Sequence, residues 1–353
     1  MPSATIDHAQ DAIVGGHPDS RPRLAKPLTY AGTLDSFQQF DVTPVIGREF
    51  SGLHLRDLLK GSDEQMRDLA LTISQRGVVF LRGQGDATPM EMKDFMLRLT
   101  EASGCPASSD LHVHPLTEEG SELGDQVSVI SSAKQKKGGG LTHQLSDVSR
   151  FASTGWHSDI TFEKVPSDYA MLKIHTLPPT GGDTLWASGY EIYDRLSPPM
   201  KAFLETLTAT HDASFFHDEA ERLGNPLRKD KRGSPLNQGG DLRAVHPLIR
   251  TNPVTGWKSV YVNKGFTKRI NDVTKDESDV LLAYLFNLVT QNHDAQVRFK
   301  WSAGDLAIWD NRSTFHCATY DYSADRAGDR VCSLGEAPYL DLNSKSRREA
   351  LGL

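Results

Sequence analysis

The chain is short of three things. Among 353 residues there are three cysteines, Cys105, Cys317 and Cys332. They are too few and too scattered for a disulfide framework, which points to a reducing compartment, the cytoplasm. No run of 18 apolar residues occurs, so no ordinary membrane-spanning helix is expected, and residues 1–16 lack the basic segment and apolar stretch of a secretory leader. There is no basic excess either. Lys and Arg number 39 against 46 Asp and Glu, a net charge of −7, which argues against a nucleic-acid binder. A small-molecule partner, with neither nucleic acid nor membrane, is what remains.

What is present is globular: 38% hydrophobic and 24% charged residues can enclose a sizeable core. Residues 1–35, rich in Pro, Gly, Ser and Asp without a sustained period, read as a flexible arm. Residues 36–353 read as one domain. Helical spacing over 63–76 ends at Gly77, and Pro89 follows a capping threonine, Thr88. Short apolar or alternating runs predict strands near 41–46, 78–81, 127–130, 169–174, 184–186, 245–250, 259–262, 296–301, 305–310 and 331–334. Many short strands with interspersed helices suggest a mainly β fold, a sandwich or jelly roll carrying helices. The Lys- and Gly-rich stretch 133–150 and the charged stretch 218–244 read as mobile loops, the latter with a solvated face at Arg228–Gly233.

The stretch from Gly155 to Glu163 carries the chemistry. Placed at a strand end, His157 and Asp159 share a face while Ser158 turns away. With a second histidine from elsewhere they form the two-histidine, one-carboxylate set that holds Fe(II) and leaves coordination positions open. His112 and His114 offer a rival, a zinc hydrolase that adds a carboxylate. A non-catalytic jelly-roll binding protein is a third reading.

Several blocks together resemble the TauD/TfdA family of Fe(II)- and 2-oxoglutarate-dependent dioxygenases, of the fungal taurine or alkylsulfonate type. They are Trp156-His157-Ser158-Asp159, Gly181-Gly182-Asp183-Thr184-Leu185-Trp186, Trp309-Asp310-Asn311-Arg312 through His316, and Arg326 with Arg330 before Leu334-Gly335-Glu336. His114-Pro115 and Asn263-Lys264-Gly265-Phe266-Thr267 also match. The resemblance implies a double-stranded β-helix, a cupin-like jelly roll. It implies iron on His157, Asp159 and His316, and 2-oxoglutarate held by Thr184 and Arg326 with Arg330 nearby. A small anionic substrate would then lie near His114, Thr117, Ser153, Ile160, Phe266 and Arg330. The implied reaction consumes O₂ and 2-oxoglutarate, releases succinate and CO₂, and oxidises a substrate C–H bond, most simply by hydroxylation; desaturation or ring closure is the alternative outcome. Relatives of this kind are often homodimers or larger. Thr117 and Ser153 replace the larger tyrosine and asparagine of the taurine enzymes, which argues against taurine itself.

Overall fold

The computed structural model describes residues 22–117, 123–132 and 151–353. In chain order the elements are β1 (Gln38–Asp41), β2 (Arg48–Ser51), α1 (Leu55–Lys60), α2 (Asp63–Arg76), β3 (Val78–Leu81), α3 (Pro89–Ala102) and β4 (Ser128–Ser131). Then come β5 (Ser167–Thr176), β6 (Thr184–Ser188), α4 (Gly189–Asp194), α5 (Pro198–Leu204), β7 (Thr208–Asp212), α6 (Phe215–Leu223), β8 (Arg243–Pro247), β9 (Ile249–Asn252), β10 (Trp257–Val260) and β11 (Thr267–Ile270). The chain finishes with α7 (Lys275–Gln291), β12 (Gln296–Phe299), β13 (Leu306–Asp310), β14 (Thr314–Ala318), β15 (Ala327–Leu334) and α8 (Arg347–Leu351). Among the described residues, no helix is long and apolar enough to cross a membrane.

Local chemistry sets the helix ends. Ser62 accepts the Gln65 N–H at the start of α2, and Gly77 ends it at φ +72°. Thr88 with Glu91, and Thr274 with Glu277, form reciprocal capping boxes on α3 and α7.

The largest sheet has the order β1-β2-β3-β13-β5-β15-β4, antiparallel except between β2 and β3. Its central strands are buried on both faces, so they read as continuous apolar runs, yet they still alternate. Val79, Leu81, Tyr169, Met171, Leu306, Ile308 and Val331 pack against α1–α3. Val78, Phe80, Ala170, Leu172, Ile174, Ala307, Trp309 and Cys332 face the other way. There they meet Trp186 and Phe299 from a second sheet, β12-β6-β14, together with Trp301 just beyond β12. A third cluster lies behind that second sheet, where Ala187, Phe315 and Cys317 pack with Leu282, Leu285 and Val289 of α7. The layer between the two sheets is where the functional side chains gather.

Three expectations are corrected. Of the residues expected as a strand over 41–46, only Asp41 is in one, ending β1; residues 42–46 are the turn between β1 and β2, closed by the Thr43 hydroxyl, which donates to Ile46 O and accepts from the Ile46 N–H. The arm expected over 1–35 lies against the body from residue 22 on: Leu34 is buried in the helical core, and Asp68 accepts from the Ala31 and Thr33 N–H groups. The stretch 218–244 begins inside α6 and then turns into the protein. Arg232 is 1% exposed and pairs with Glu163, while the Asn237 side chain bonds both backbone groups of Val165. A charge run cannot say which guanidinium has a buried carboxylate waiting for it. The loop expected near 133–150 lies outside the described residues.

One buried ion pair fixes the turn from β13 to β14. Asp310, fully buried, accepts from Arg312 Nε, Arg312 Nη2, Ser74 Oγ and Asn252 Nδ2 at 2.7–2.9 Å. Removing one partner of such a pair leaves an uncompensated charge, so Asp310→Ala should lose about 3–5 kcal/mol in urea unfolding. A loss under about 1 kcal/mol would show that the turn does not depend on the pair.

Candidate active site

His157 and Asp159 do converge, though not through a strand. Residues Ala152–Gly155 form a single 3₁₀ turn, and His157 then makes an isolated bridge to His316. The His157 N–H donates to His316 O (3.0 Å), and the His316 N–H donates back to His157 O (2.7 Å). Beyond the bridge the chain turns sharply at Ile160, whose φ is +62°. Ser158 points away and donates to Thr314 O (2.6 Å). On β14 the neighbours Phe315 and Cys317 face the α7 side, so His316 faces the inter-sheet layer, with its ring 4.9 Å from that of Trp309.

One ligand-type atom from each of His157, Asp159 and His316 lies within 4.8 Å of the others. The Nε2 atoms of His157 and His316 stand 3.8 and 3.7 Å from the Asp159 carboxylate oxygens. His157 Nδ1 lies 2.8 Å from Gly155 O, which can only accept; its proton is therefore on Nδ1 and its Nε2 lone pair is free. Burial lowers the pKa of His157, and burial with His157 alongside lowers that of His316 to about 3. Both rings are neutral near pH 7, the form that binds metal. Burial pushes Asp159 up, but Arg330 and the two imidazoles outweigh it and hold the carboxyl at about 2. Arg330 Nη1 donates to Asp159 Oδ1 (2.8 Å), while Oδ2 is buried without a hydrogen-bond partner. Two neutral imidazole nitrogens and a carboxylate oxygen left bare suit a divalent metal with nitrogen and oxygen ligands.

Thr184 and Arg326 meet at one edge of this layer. Arg326 Nη2 lies 3.4 Å from Thr184 Oγ1, and its Nε donates to Gly182 O (2.8 Å). Gly182 has φ +76°, and a Cβ there would stand 2.9 Å from Arg326 Cδ, so only glycine lets the guanidinium lie this close. Arg330 does not join them; it bonds the Asp159 carboxylate. Phe266 sets its ring 6.3 Å from that of His157, and Ile160 is buried in the same apolar cluster. His114 is tied in because Leu111 bridges Ser333 and the His112 N–H donates to Cys332 O (2.9 Å), alongside β15. Thr117 donates its N–H to His114 O, and Ser153 lies in the 3₁₀ turn; no described contact joins either to the triad.

Three contributors escaped the sequence reading. Trp301 donates its indole N–H to Thr184 Oγ1 (3.0 Å). Asn311 Oδ1 accepts from the Asp159 N–H (3.1 Å) and from Trp309 Nε1 (3.0 Å). Phe216, from α6, sets its ring edge-on to His114 with centroids 5.0 Å apart. Trp301 ends an alternating strand and Asn311 stands inside a quoted block, but nothing in their spacing marks a hydrogen-bond role. The zinc alternative fails on geometry. Among the described residues the triad is the one group able to hold a metal, and His112 instead faces Glu163 (3.5 Å), which is engaged by Arg232.

The Taurine catabolism dioxygenase TauD, TfdA family matches residues 38–332. The chain belongs to the TauD/TfdA family. Alpha-ketoglutarate-dependent dioxygenase btcD of Neocamarosporium betae is 46% identical over 341 residues, covering 93% of this chain and 99% of the relative. An alpha-ketoglutarate-dependent sulfonate dioxygenase of Saccharomyces cerevisiae is 32% identical, covering 85% and 68%. The crystal structure of a putative alpha-ketoglutarate-dependent taurine dioxygenase from Burkholderia xenovorans superposes with a TM-score of 0.65 at 30% identity, covering 86% of this chain and 91% of its own. This TauD/TfdA chain is therefore a 2-oxoglutarate-dependent dioxygenase, and its family implies 2-oxoglutarate and O₂ as co-reactants.

The buried histidines make stability pH-dependent. His316 and His246 sit at about 3 when folded against about 6.5 unfolded, so between these values the unfolded chain binds more protons. Stability is thus full above pH 6.5 and falls as pH drops through the window. The urea midpoint of the metal-free protein should decline from pH 6.5 to 5, and His246→Gln should flatten the slope. A midpoint independent of pH over that range would refute this.

Proposed function

We propose that the protein is an Fe(II)-dependent enzyme with a double-stranded β-helix core that hydroxylates a C–H bond of a small organic anion. The convergence of His157, Asp159 and His316, with Thr184 and Arg326 beside them in the same inter-sheet layer, carries this reading. Two facing sheets around a buried site support the jelly-roll assignment. The printed names of the Saccharomyces cerevisiae relative and of a 27%-identical sulfate ester dioxygenase from Pseudomonas putida support an anionic substrate.

In this reading His157 Nε2, His316 Nε2 and an Asp159 oxygen would hold the metal. When bound, iron with 2-oxoglutarate supplies the O₂-activating chemistry that the side chains lack. The chain does the rest. Gly155 O fixes the His157 tautomer, and Asn311 and Arg330 orient the Asp159 segment and its carboxylate. Arg326 offers a planar pair of N–H donors to the distal carboxylate of 2-oxoglutarate. Thr184 contributes its hydroxyl. Because Trp301 Nε1 and Arg326 Nη2 donate to Thr184 Oγ1, the hydroxyl proton must point elsewhere and would be free for the cosubstrate carboxylate. Trp186, Trp309 and Phe266 line the layer with apolar surface and keep water from the reacting centre.

Two measurements test the assignment. Anaerobic Fe(II) with 2-oxoglutarate should give a weak visible charge-transfer band, absent in His157→Ala. Arg326→Ala should weaken 2-oxoglutarate binding roughly 10- to 100-fold, as expected for about 1.5–3 kcal/mol of charged hydrogen bonding. No band in folded, iron-loaded protein would sink the reading. Separately, Trp301→Phe should weaken calorimetric 2-oxoglutarate binding by roughly 2- to 10-fold, and should cost nothing further in a Thr184→Val background. Additive losses would show that Trp301 acts by packing and not through the hydroxyl.

A further inference from the structure

Ile160, the residue after Asp159, is β-branched and stands at φ +62°. That conformation is unfavourable for a branched side chain and persists only where its surroundings hold it. Upstream, the Ser158 hydroxyl donates to Thr314 O (2.6 Å) and the Asp159 N–H to Asn311 Oδ1 (3.1 Å). Downstream, the restraint falls on Thr161, which is fully buried. Its carbonyl accepts from His246 Nε2 (2.9 Å), which also reaches Glu163 O (3.0 Å). Its hydroxyl meets Asn263 Nδ2 and His211 Nδ1, each at 3.0 Å.

Asn263 does more than meet one hydroxyl. It is 3% exposed, and all of its polar groups are in use. Oδ1 accepts from the Phe266 N–H (2.9 Å), the Asn263 N–H donates to Thr267 Oγ1 (2.9 Å), and Asn263 O accepts from the Thr267 N–H (3.0 Å). A backbone N–H can only donate, so the amide oxygen must face Phe266 and the amide NH₂ must face Thr161. Thr161 Oγ1 is therefore the acceptor of that bond. One side chain thus bridges two turns. The first leaves Asp159. The second, over 263–267, carries Phe266, whose ring stands 6.3 Å from that of His157.

Packing alone does not fix the second turn. A cavity of about 10 Å³ lies against Val262, Asn263 and Lys264 and is shared with Trp156, Phe286 and Phe315. Atoms that face a void lack dispersion partners on that side. The position of the turn is set instead by the hydrogen bonds that Asn263 makes.

We propose that Asn263 is a positioning residue. Through Thr161 it fixes the turn that follows Asp159, and with it the place of the Asp159 carboxylate against His157 and His316. This rests on the metal reading above. It also joins the Phe266 turn to the metal segment, so that the two move as one unit.

Co(II) provides the test, because its visible bands report coordination geometry without any turnover. Thr161→Val keeps the shape of the side chain and deletes the acceptor. Asn263→Ala deletes the donor from the other side, and Thr161→Ser keeps the hydroxyl. In titrations of the metal-free protein, Thr161→Val and Asn263→Ala should each weaken Co(II) binding roughly 3- to 10-fold, the size expected of one buried hydrogen bond, and should shift the bands. The double variant should be within about 2-fold of the weaker single variant, and Thr161→Ser within about 2-fold of wild type. If Asn263→Ala does not fold, Thr161→Val against Thr161→Ser decides alone. A folded Thr161→Val with wild-type Co(II) affinity and bands overturns the proposal, even where its urea midpoint has fallen. Losses that multiply in the double variant overturn it too. A wild-type protein that does not bind Co(II) takes down the metal reading and this inference together.

Discussion

Two backbone hydrogen bonds, exchanged between His157 and His316, are what the site depends on. They join a turn that leaves the 3₁₀ segment to a strand more than 150 residues later. Side chains alone could not hold two imidazoles this close, because each ring has torsional freedom that costs entropy to restrain. Once the main chains are paired, alternation on β14 aims His316 inward, and Asp159, two residues after His157, brings its carboxylate to the same group. The ring positions are thus inherited from backbone geometry, and the neighbouring hydrogen bonds adjust orientation within it.

Around that bridge the protein buries several charges, each with a counter-charge. Asp310 meets Arg312, Glu163 meets Arg232, and Asp159 meets Arg330. Such pairs contribute little net stability, since desolvation consumes most of the attraction. Their value is positional. The Asp310–Arg312 pair shapes the turn that launches β14 and hence His316. The Glu163–Arg232 pair, with Asn237 bonded to Val165, ties residues 232–237 to the strand-leading segment just after His157 and Asp159. The third pair differs in kind, because Asp159 has a second oxygen left bare and a divalent cation can be its real partner.

The parts of this architecture that local chemistry decides were legible in the sequence. Helix α2 covers the expected 63–76 and stops at Gly77, α3 starts after its Thr88 cap, and β3 is four consecutive buried apolar residues. The triad residues and the Thr184–Arg326 meeting followed from the quoted blocks. What local chemistry does not decide was misread. His157 and Asp159 were placed on a strand, and the right pairing arises from a bridge and a turn. Strand β7, Thr208–Asp212, carries His and Asp among threonines and gives no periodic signal; it is defined by its partners β8 and β11. Arg232 looked like one more residue of a charged surface run until its carboxylate, 69 positions earlier, came into place. Trp301 was legible as the end of an alternating strand and illegible as a donor, because a hydrogen bond to Thr184 depends on two strands being laid side by side.

Strand β15 is the last of the fifteen among the described residues but not the last in the sheet: it lies inside, between β5 and β4. Arg330 is on it and Arg326 immediately precedes it. A polypeptide still emerging from the ribosome therefore holds two unpaired strand edges open until this segment arrives, at about 5–20 residues per second. Until then those edges carry bare N–H and C=O groups on which another chain can pair. The nascent chain also lacks the guanidinium groups of Arg326 and Arg330. Sealing the sheet and bringing guanidinium groups to Thr184 and Asp159 are thus one event, delivered by the same eight residues and the arginine before them.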